Sequence, residues 1–195
     1  MDIQIRQGEA CDSTRIGELS YMASDGAVEY LFHDLVPNVS ALQVLCDGLK
    51  RDVYPHTYKS ALVAHDNTTV VGMALSYPAR FHCITEALAQ FLPSDRLAHF
   101  NEFYNTRVEG SYLLDALCVD AHYRGQGIGA ALLKATQEKA IKEGFSVLSL
   151  IVFADNVTAI QFYEGQGFKT QKQIRLAPHE KIPHEGGCLL MSQSL

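Results

Sequence analysis

The sequence predicts an α/β domain in which helices flank a central mixed sheet of about seven strands. Short stretches with the alternating or continuous apolar patterns of β-strands recur along the chain, and stretches with helical spacing separate them. The length of 195 residues is that of one ordinary domain that buries a core without staples. Hydrophobic residues make up 47% of the chain and charged residues 19%, which is a globular composition. We therefore expect a single domain over residues 1–195.

The N-terminal segment is predicted to form a strand and then a helix. Residues 2–7 alternate polar and apolar side chains, which indicates a strand. Asp12 or Ser13 can cap a helix that Gly26 ends. The apolar face of this helix is formed by Ile16, Leu19 and Met22.

Two helical stretches come next. Residues 29–35 form the first, which ends before Pro37, and the second begins at Ser40. Its apolar residues at helical spacing are Leu42, Leu45 and Leu49. Tyr30 is expected to be a core aromatic residue and His33 a surface histidine.

A hairpin then precedes a segment with helical character. Residues 58–65 and 70–77 are predicted strands joined by a turn at Asp66, Asn67 and Thr68. Residues 80–110 are predicted to be a helical insertion between the third and fourth strands, with helices at 84–91 and 96–104 separated by Pro93 and the cap Ser94. Its apolar residues are Leu88, Phe91, Leu97, Phe100 and Phe103. The apolar faces of these two helices must be buried, so the insertion is a packing element, a homodimer contact or a lid over a site.

A strand, a glycine-rich turn and a helix form the centre of the chain. Residues 111–119 are a nearly continuous apolar run, and 128–140 have helical periodicity. The predicted buried face of the helix is Ile128, Leu132, Leu133, Thr136 and Ala140. The glycines of the turn allow close approach to the backbone, and the helix N-terminus carries a partial positive charge. The turn can therefore bind a phosphate or pyrophosphate, although many glycine turns bind nothing.

The C-terminal part is predicted to add three strands and a helix. Gly144 ends the central helix, and residues 146–153 form a buried strand. Asp155 or Asn156 caps the next helix, which ends at Gly167. Residues 168–176 and 188–193 are closing strands. The loop between them carries His179 and His184, which are expected to be solvated rather than metal ligands.

Composition and charge exclude several functional classes. The net charge of −6 argues against a nucleic-acid partner and suits a cationic substrate such as an amine. The longest apolar run is too short to span a bilayer, and the N-terminus lacks the pattern of a signal peptide, so we expect a cytoplasmic protein that does not bind membranes. Five cysteines without CxxC spacing are expected to be reduced packing residues.

Two motifs stand in the C-terminal half of the chain. Arg124, Gly127 and Gly129 fill the pattern Q/R-x-x-G-x-G/A, and residues 156–168 read NVTAIQFYEGQGF. The first resembles the pyrophosphate-binding motif of the GNAT superfamily of N-acetyltransferases, and the second is similar to that family's N-x-x-A-x-x-x-Y-x-x-x-G-F. The two motifs together are more specific than either alone. The insertion at about 80–110 departs from the resemblance, because the family usually joins these strands by a short turn.

The resemblance implies an acetyl-CoA-dependent N-acetyltransferase that needs no metal, releases CoA and moves the acetyl group directly to a primary amine of a small molecule. The CoA pyrophosphate would lie on the backbone of the glycine turn, and the pantetheine arm would follow the edge of the central strand. The residues that the resemblance assigns to cofactor binding are Leu117, Cys118, Val119, Arg124, Gly125, Gln126, Gly127, Ile128, Gly129, Ala130, Asn156 and Tyr163.

Two side chains are predicted to take part in the chemistry. Asp115 is the only carboxylate inside the central strand, and a charge in an apolar run either pairs locally or serves a site. We expect it to act as the general base, with a water chain as the alternative. By resemblance, Tyr163 would protonate the thiolate; its alternative role is packing of the helix.

Other functions stay open at this point. A non-catalytic acyl-CoA sensor would keep the glycine turn, but the presence of Tyr163 and Asp115 counts against it. A protein N-terminal or lysine acetyltransferase is a second alternative, because the sequence does not identify the acceptor. A dinucleotide-dependent oxidoreductase would place an acid at a strand end about 20 residues past the glycines. Glu143 stands there at the end of a helix, so we set that function aside.

Overall fold

The computed structural model describes residues 3–66 and 69–195. The strands are β1 (Gln4–Gln7), β2 (Ala61–His65), β3 (Val70–Pro78), β4 (Tyr112–Val119), β5 (Val147–Phe153), β6 (Lys169–Ile174) and β7 (Cys188–Ser194). They form one seven-stranded sheet in the order β1-β2-β3-β4-β5-β7-β6. All neighbouring strands are antiparallel except β4 and β5, which are parallel. The predicted α/β fold with a mixed sheet is confirmed, while Asp2 of the first predicted strand and Asn67 and Thr68 of the predicted turn lie outside the described residues.

Helices cover both faces of the sheet. They are α1 (Ser13–Ala23), α2 (Ala27–Phe32), α3 (Ala41–Lys50), α4 (Glu86–Phe91), α5 (Ser94–His99), α6 (Asn101–Asn105), α7 (Ile128–Lys142) and α8 (Val157–Gly165). Within the described ranges, no helix has the length and apolar character needed to cross a membrane.

The long helix α7 packs on one face of the sheet, as its periodicity predicts. Its buried residues are Ile128, Leu132, Leu133, Thr136 and Ala140. They belong to a core that includes Tyr112 and Leu114 of β4 and Leu148 and Leu150 of β5. This packing holds the N-terminus of α7 at the end of β4, where the glycine turn lies.

The opposite face of β2 and β3 is covered by α1 and α3, whose Ile16, Leu19 and Leu49 are buried. Met22 does not belong to this face and is 44% exposed. The reason is the close contact between α1 and α3: a Cβ at Gly17 would lie 2.5 Å from Cys46 Sγ. The buried face of α1 therefore runs through small residues such as Gly17, and Met22 lies outside this face.

The segment between β3 and β4 contains three short helices instead of the predicted pair. Phe100 ends α5 and precedes α6 with a non-helical ψ of 11°, which divides the predicted second helix. Leu97 and Phe100 are buried as expected. Phe91 is 48% exposed, because the chain becomes extended at Leu92 and turns that side chain inward instead.

This segment packs on α2 and on the β5–β7 half of the sheet. Its Leu92, Leu97 and Phe100 share a core with Tyr30, Leu31, Ile174, Leu176, Ile182, Cys188 and Leu190. The core position predicted for Tyr30 is thus confirmed. His33 is half-buried rather than a surface residue, since Arg96 of α5 donates to its Nε2 at 3.1 Å and to its carbonyl at 2.7 Å.

The five cysteines all lie in the described part of the chain and are free. Cys46, Cys118 and Cys188 are buried and pack in the core, which agrees with the packing role expected for them. Cys11 is exposed, so that expectation is wrong for this residue.

Candidate active site

A gap in the sheet lies between the two parallel strands. β4 and β5 pair only from Tyr112 to Leu114 with Leu148 to Leu150, although both strands continue further. Residues 116–119 of β4 keep β3 as a partner on one side, and among the described residues no strand pairs with 115–119 on the other. Because backbone N–H and C=O groups require partners, this edge of β4 can bind an extended ligand.

The glycine turn lies at the far end of the same edge. Gly125 (φ 75°) and Gly127 (φ 80°) have left-handed backbones, which favour glycine, and a Cβ at either position would meet nothing within 4 Å. Within the part of the chain that the structure describes, no side chain caps α7, so its first N–H groups are available to an anion. Arg124 lies beside the turn and donates from Nε to the Val119 carbonyl at 3.0 Å.

The other residues assigned to cofactor binding lie along this path. Gln126 is exposed in the turn, whereas Ile128 is buried beneath it. Gly129 faces α8, since a Cβ there would lie 3.9 Å from the Phe162 ring. Ala130 is half-buried in the first turn of α7, and Leu117, Cys118 and Val119 form the unpaired end of β4. The turn and the strand edge therefore form one continuous surface.

A β-bulge lies at Asp115, at the point where the pairing of β4 with β5 ends. The pairing of β3 with β4 passes from Leu75 and Ala116 to Ser76 and Leu114, so Asp115 is the extra residue. Bulges redirect side chains. Here the Asp115 carboxylate meets Tyr77 of β3, whose hydroxyl donates to Oδ1 at 2.9 Å.

One further group, His56, completes this cluster. His56 Nε2 lies 3.9 Å from Asp115 Oδ2 and 3.4 Å from the Tyr77 hydroxyl oxygen. Burial raises the pKa of Tyr77 well above its usual value, and the Asp115 charge raises it further, so the hydroxyl stays a donor. The Asp115 side chain is 23% exposed and that of His56 is 54% exposed. The Asp115 carboxylate thus lies beside a buried hydroxyl and a largely exposed imidazole.

The segment after β3 borders the Asp115 carboxylate. Burial raises the pKa of Tyr104, and the Asp115 charge adds to this. Burial lowers the pKa of His82, while the Asp115 charge opposes this change. His82 Nε2 donates to the Phe103 carbonyl at 3.0 Å, and its ring lies 5.4 Å from that of Tyr104. The inserted segment therefore contributes to the surroundings of the acid.

Tyr163 lies on α8 on the other side of the glycine turn. Its ring packs edge-on against Phe162 at 5.2 Å and Phe168 at 5.6 Å between centroids. In residues 3–66 and 69–195, no group forms a hydrogen bond with its hydroxyl. Burial raises the pKa of Tyr163, so the hydroxyl keeps its proton at neutral pH. Such a group can donate a proton to a ligand.

Asn156 caps α8, as expected of an Asx residue at a helix start. Its Oδ1 accepts from the Ala159 N–H at 3.1 Å. The neighbouring Asp155 accepts from the Glu185 N–H at 2.8 Å, which lowers the pKa of Asp155, and the His184 bond lowers it further. These contacts connect the start of α8 with the loop between β6 and β7.

The solvated loop predicted for His184 is wrong. Its imidazole stacks on Phe153 at 3.9 Å and 11°, and only 12% of the side chain is exposed. Nδ1 lies 2.7 Å from Asp155 Oδ1, and Nε2 lies 2.8 Å from Asp25 Oδ2. The sequence does not show this because the partners come from two distant segments, the end of β5 with the residues that follow it and the loop between α1 and α2. Across the residues that the structure describes, no cluster of His, Cys, Asp and Glu side chains has the arrangement of a metal site.

Sequence reasoning did not find Tyr77 or His56. Tyr77 has the pattern of an ordinary strand residue, and His56 lies in the irregular loop before β2. Their contact with Asp115 depends on the bulge and on the register of β3 and β4. A carboxylate inside an apolar strand requires a hydrogen-bond donor nearby, and a neighbouring strand can supply one. This requirement is the one feature of the sequence that points to a partner such as Tyr77.

Comparison with known proteins places the chain in a family. The sequence profile of the Acetyltransferase (GNAT) family matches residues 34–168. An L-ornithine N5-acetyltransferase of Arabidopsis thaliana is 27% identical over 109 residues, 56% of this chain and 48% of that protein. A probable spermine N(1)-acetyltransferase of Bacillus subtilis subsp. natto is 34% identical over 76 residues, 38% of this chain and 50% of that protein. An uncharacterised N-acetyltransferase of Methanocaldococcus jannaschii is 39% identical over 57 residues, 29% of this chain and 25% of that protein. The matches thus span from a quarter to about half of these curated relatives.

Solved structures share the fold over almost the whole chain. An N-acetyltransferase from Staphylococcus aureus Mu50 superposes with a TM-score of 0.70 at 22% identity, covering 98% of this chain and 100% of that chain. The PaiA N-acetyltransferase from Thermoplasma acidophilum, solved in complex with coenzyme A, gives a TM-score of 0.56 at 15% identity and covers 100% of both chains. At these identities the likeness concerns the fold alone. Because the family profile matches more than half of the residues of this chain, the chain belongs to the Acetyltransferase (GNAT) family.

Proposed function

We propose that this chain is an acetyl-CoA-dependent N-acetyltransferase that transfers the acetyl group directly to a primary amine of a small molecule. The observation that carries the proposal is the gap between β4 and β5, which has the glycine turn at one end and Asp115 beside it. Acetyl-CoA supplies an acetyl group activated as a thioester. The whole of residues 1–195 would serve as one catalytic domain.

The open turn and the strand edge fit the elongated, anionic CoA molecule. The free space above Gly125 and Gly127 and the uncapped start of α7 suit a pyrophosphate. The unpaired backbone of 117–119 suits an extended arm with amide groups. Asn156 would act mainly by fixing the start of α8, because its side-chain oxygen already accepts a hydrogen bond.

Asp115 would remove the proton that blocks the reaction. A primary amine with a pKa of roughly 10 has only about one molecule in a thousand neutral at pH 7. A carboxylate that is 23% exposed can hold the ammonium group and accept its proton. The Tyr77 hydroxyl fixes the orientation of this carboxylate.

Tyr163 would supply the proton that the departing thiolate needs. Its hydroxyl remains protonated at neutral pH and has no partner within the described ranges. The same helix places Phe162 next to Gly129, so α8 lies beside the glycine turn. This position of the helix supports a role of Tyr163 beside the cofactor rather than beside the acceptor.

A small acceptor is favoured by the surroundings of Asp115. The inserted segment contributes Tyr104 and His82, which lie close enough to Asp115 for its charge to act on them, and a segment in this position would favour a compact acceptor. Two curated relatives are named for small amines, ornithine and spermine. A protein acceptor would need this segment to leave room for a peptide.

Release of free thiol from acetyl-CoA tests the proposal. Spermine, ornithine, an arylalkylamine, free lysine and a short peptide with a free N-terminus would be assayed separately. We expect thiol release with at least one small amine, and loss of release in Asp115→Asn while acetyl-CoA binding persists. Tight binding of acetyl-CoA without thiol release for any amine would instead identify a sensor, and release with the peptide alone a protein acetyltransferase.

A further inference from the structure

Every turnover of the proposed reaction leaves one proton to be removed from the site. The ammonium form of the amine and acetyl-CoA give an amide, free CoA and one proton: the N–C bond forms, the C–S bond breaks and the sulfur is protonated. If Asp115 takes the proton of the ammonium group, the carboxyl must lose it before the next turnover. A group that connects Asp115 with water would perform this step.

We propose that His56 is this group and that it returns Asp115 to its ionised form by passing the proton to solvent. The inference rests on the proposed function. It gives a role to a loop residue outside the two family motifs.

The geometry forms a short path from the cleft to water. The Tyr77 hydroxyl touches both ends, at 2.9 Å from Asp115 Oδ1 and 3.4 Å from His56 Nε2. The His56 ring stands edge-on to the Tyr77 ring, with 5.4 Å between centroids. Protonated Asp115 can donate to the Tyr77 oxygen while Tyr77 donates its own proton to Nε2. The imidazolium formed in this way then loses a proton to water.

The exposed fractions of the three side chains indicate that the proton would leave to solvent at His56. Tyr77 is fully buried, the Asp115 side chain is 23% exposed and the His56 side chain is 54% exposed. An amine bound over Asp115 would cover what is left of its accessible surface, whereas His56 stays in contact with solvent.

The other charged groups near His56 do not offer the same path. Asp52 and Lys59, on its own loop and the turn that follows, are paired with each other. His82 comes from the segment after β3, and a charge on His56 lowers the pKa of His82. His82 is buried, however, and its Nε2 donates to the Phe103 carbonyl. From the sheet, Asp115 and Tyr77 face His56 directly.

The test compares His56→Ala with the unchanged protein, using the amine of highest kcat/KM in dilute buffer. We expect kcat to fall at least about tenfold, a smaller loss than removal of a general base causes. The KM for the amine and the affinity for CoA should stay within twofold. Imidazole added to the solution should restore kcat in His56→Ala in a saturable manner and leave the unchanged protein unaffected. His65→Ala, at the other end of β2, is the matched control.

Tyr77→Phe provides a second arm, because it removes the bridging hydroxyl and keeps the buried ring. The kcat of Tyr77→Phe should fall as well. Imidazole should not restore it to the same extent, because this variant interrupts proton transfer between Asp115 and His56 and leaves His56 in place. A kcat in His56→Ala equal to that of the unchanged protein would overturn the proposal. A loss that imidazole does not restore, or one seen only as a higher KM, would overturn it too. Unchanged protein that is inactive with every amine would refute the proposed function itself, which separates the two failures.

Discussion

The hydroxyl of Tyr163 can be tested without disturbing the packing of its ring. Tyr163→Phe should lower kcat by about 10²- to 10⁴-fold, the range for loss of a general acid, because the thiolate loses its proton donor. CoA affinity should change little, since the ring still packs on Phe168. Tyr58→Phe, before β2, is a control that should keep full activity. A decrease of less than threefold with rate-limiting chemistry would contradict this role.

The carboxylate of Asp155 should make stability depend on pH. Its pKa is lowered by the Glu185 N–H and by His184, so its contribution to stability is complete above the ordinary Asp value of about 4. The contribution is lost as the pH falls through the lowered pKa. Asp155→Asn should therefore lower the Tm at pH 7, and the difference from the unchanged protein should shrink at pH 3. Glu180→Gln, in the same loop, should show no such pH-dependent difference; equal shifts at both pH values would count against the prediction.

The glycine turn allows a matched test at the level of the helix that follows it. Gly127 and Gly144 stand at opposite ends of α7 with φ of 80° and 89°, and a Cβ at either would meet nothing within 4 Å. Valine at each position should cost about 1–2 kcal/mol for the left-handed backbone. Only Gly127→Val should also weaken CoA binding in calorimetry, because its side chain enters the proposed phosphate path. Equal CoA affinity in the two variants would refute the pyrophosphate site.

The elements that the sequence predicts well are those whose pattern depends on one segment alone. The buried face of α7 follows directly from its periodicity, and the paired motifs locate the turn and α8. The contact of Asp115 with Tyr77 was not predictable, because it results from a bulge between two strands. The division of the predicted 96–104 helix at Phe100 was missed for a similar reason. That ring is buried among residues of α2, β6 and β7, which no local pattern shows.

At the scale of the whole molecule, the inserted segment is part of the core that supports the β5–β7 half of the sheet. Phe100 is 1% exposed, whereas Phe91 in the same segment is 48% exposed. Phe100→Ala should lower the free energy of unfolding by about 3–5 kcal/mol, and Phe91→Ala by less than about 1 kcal/mol. Chemical denaturation would measure both. Similar small losses would mean that the segment is only a peripheral cover, and that its removal would be tolerated.

The separation of β4 from β5 places two extra edges in the middle of the sheet. Exposed edges normally invite strands of other chains, which is a route to aggregation. Here the free stretches are only residues 115–119 and 151–153, and folded strands enclose them on both outer sides. Free stretches this short leave a strand of another chain few backbone groups to pair with, whereas a narrow, extended small molecule needs only a few.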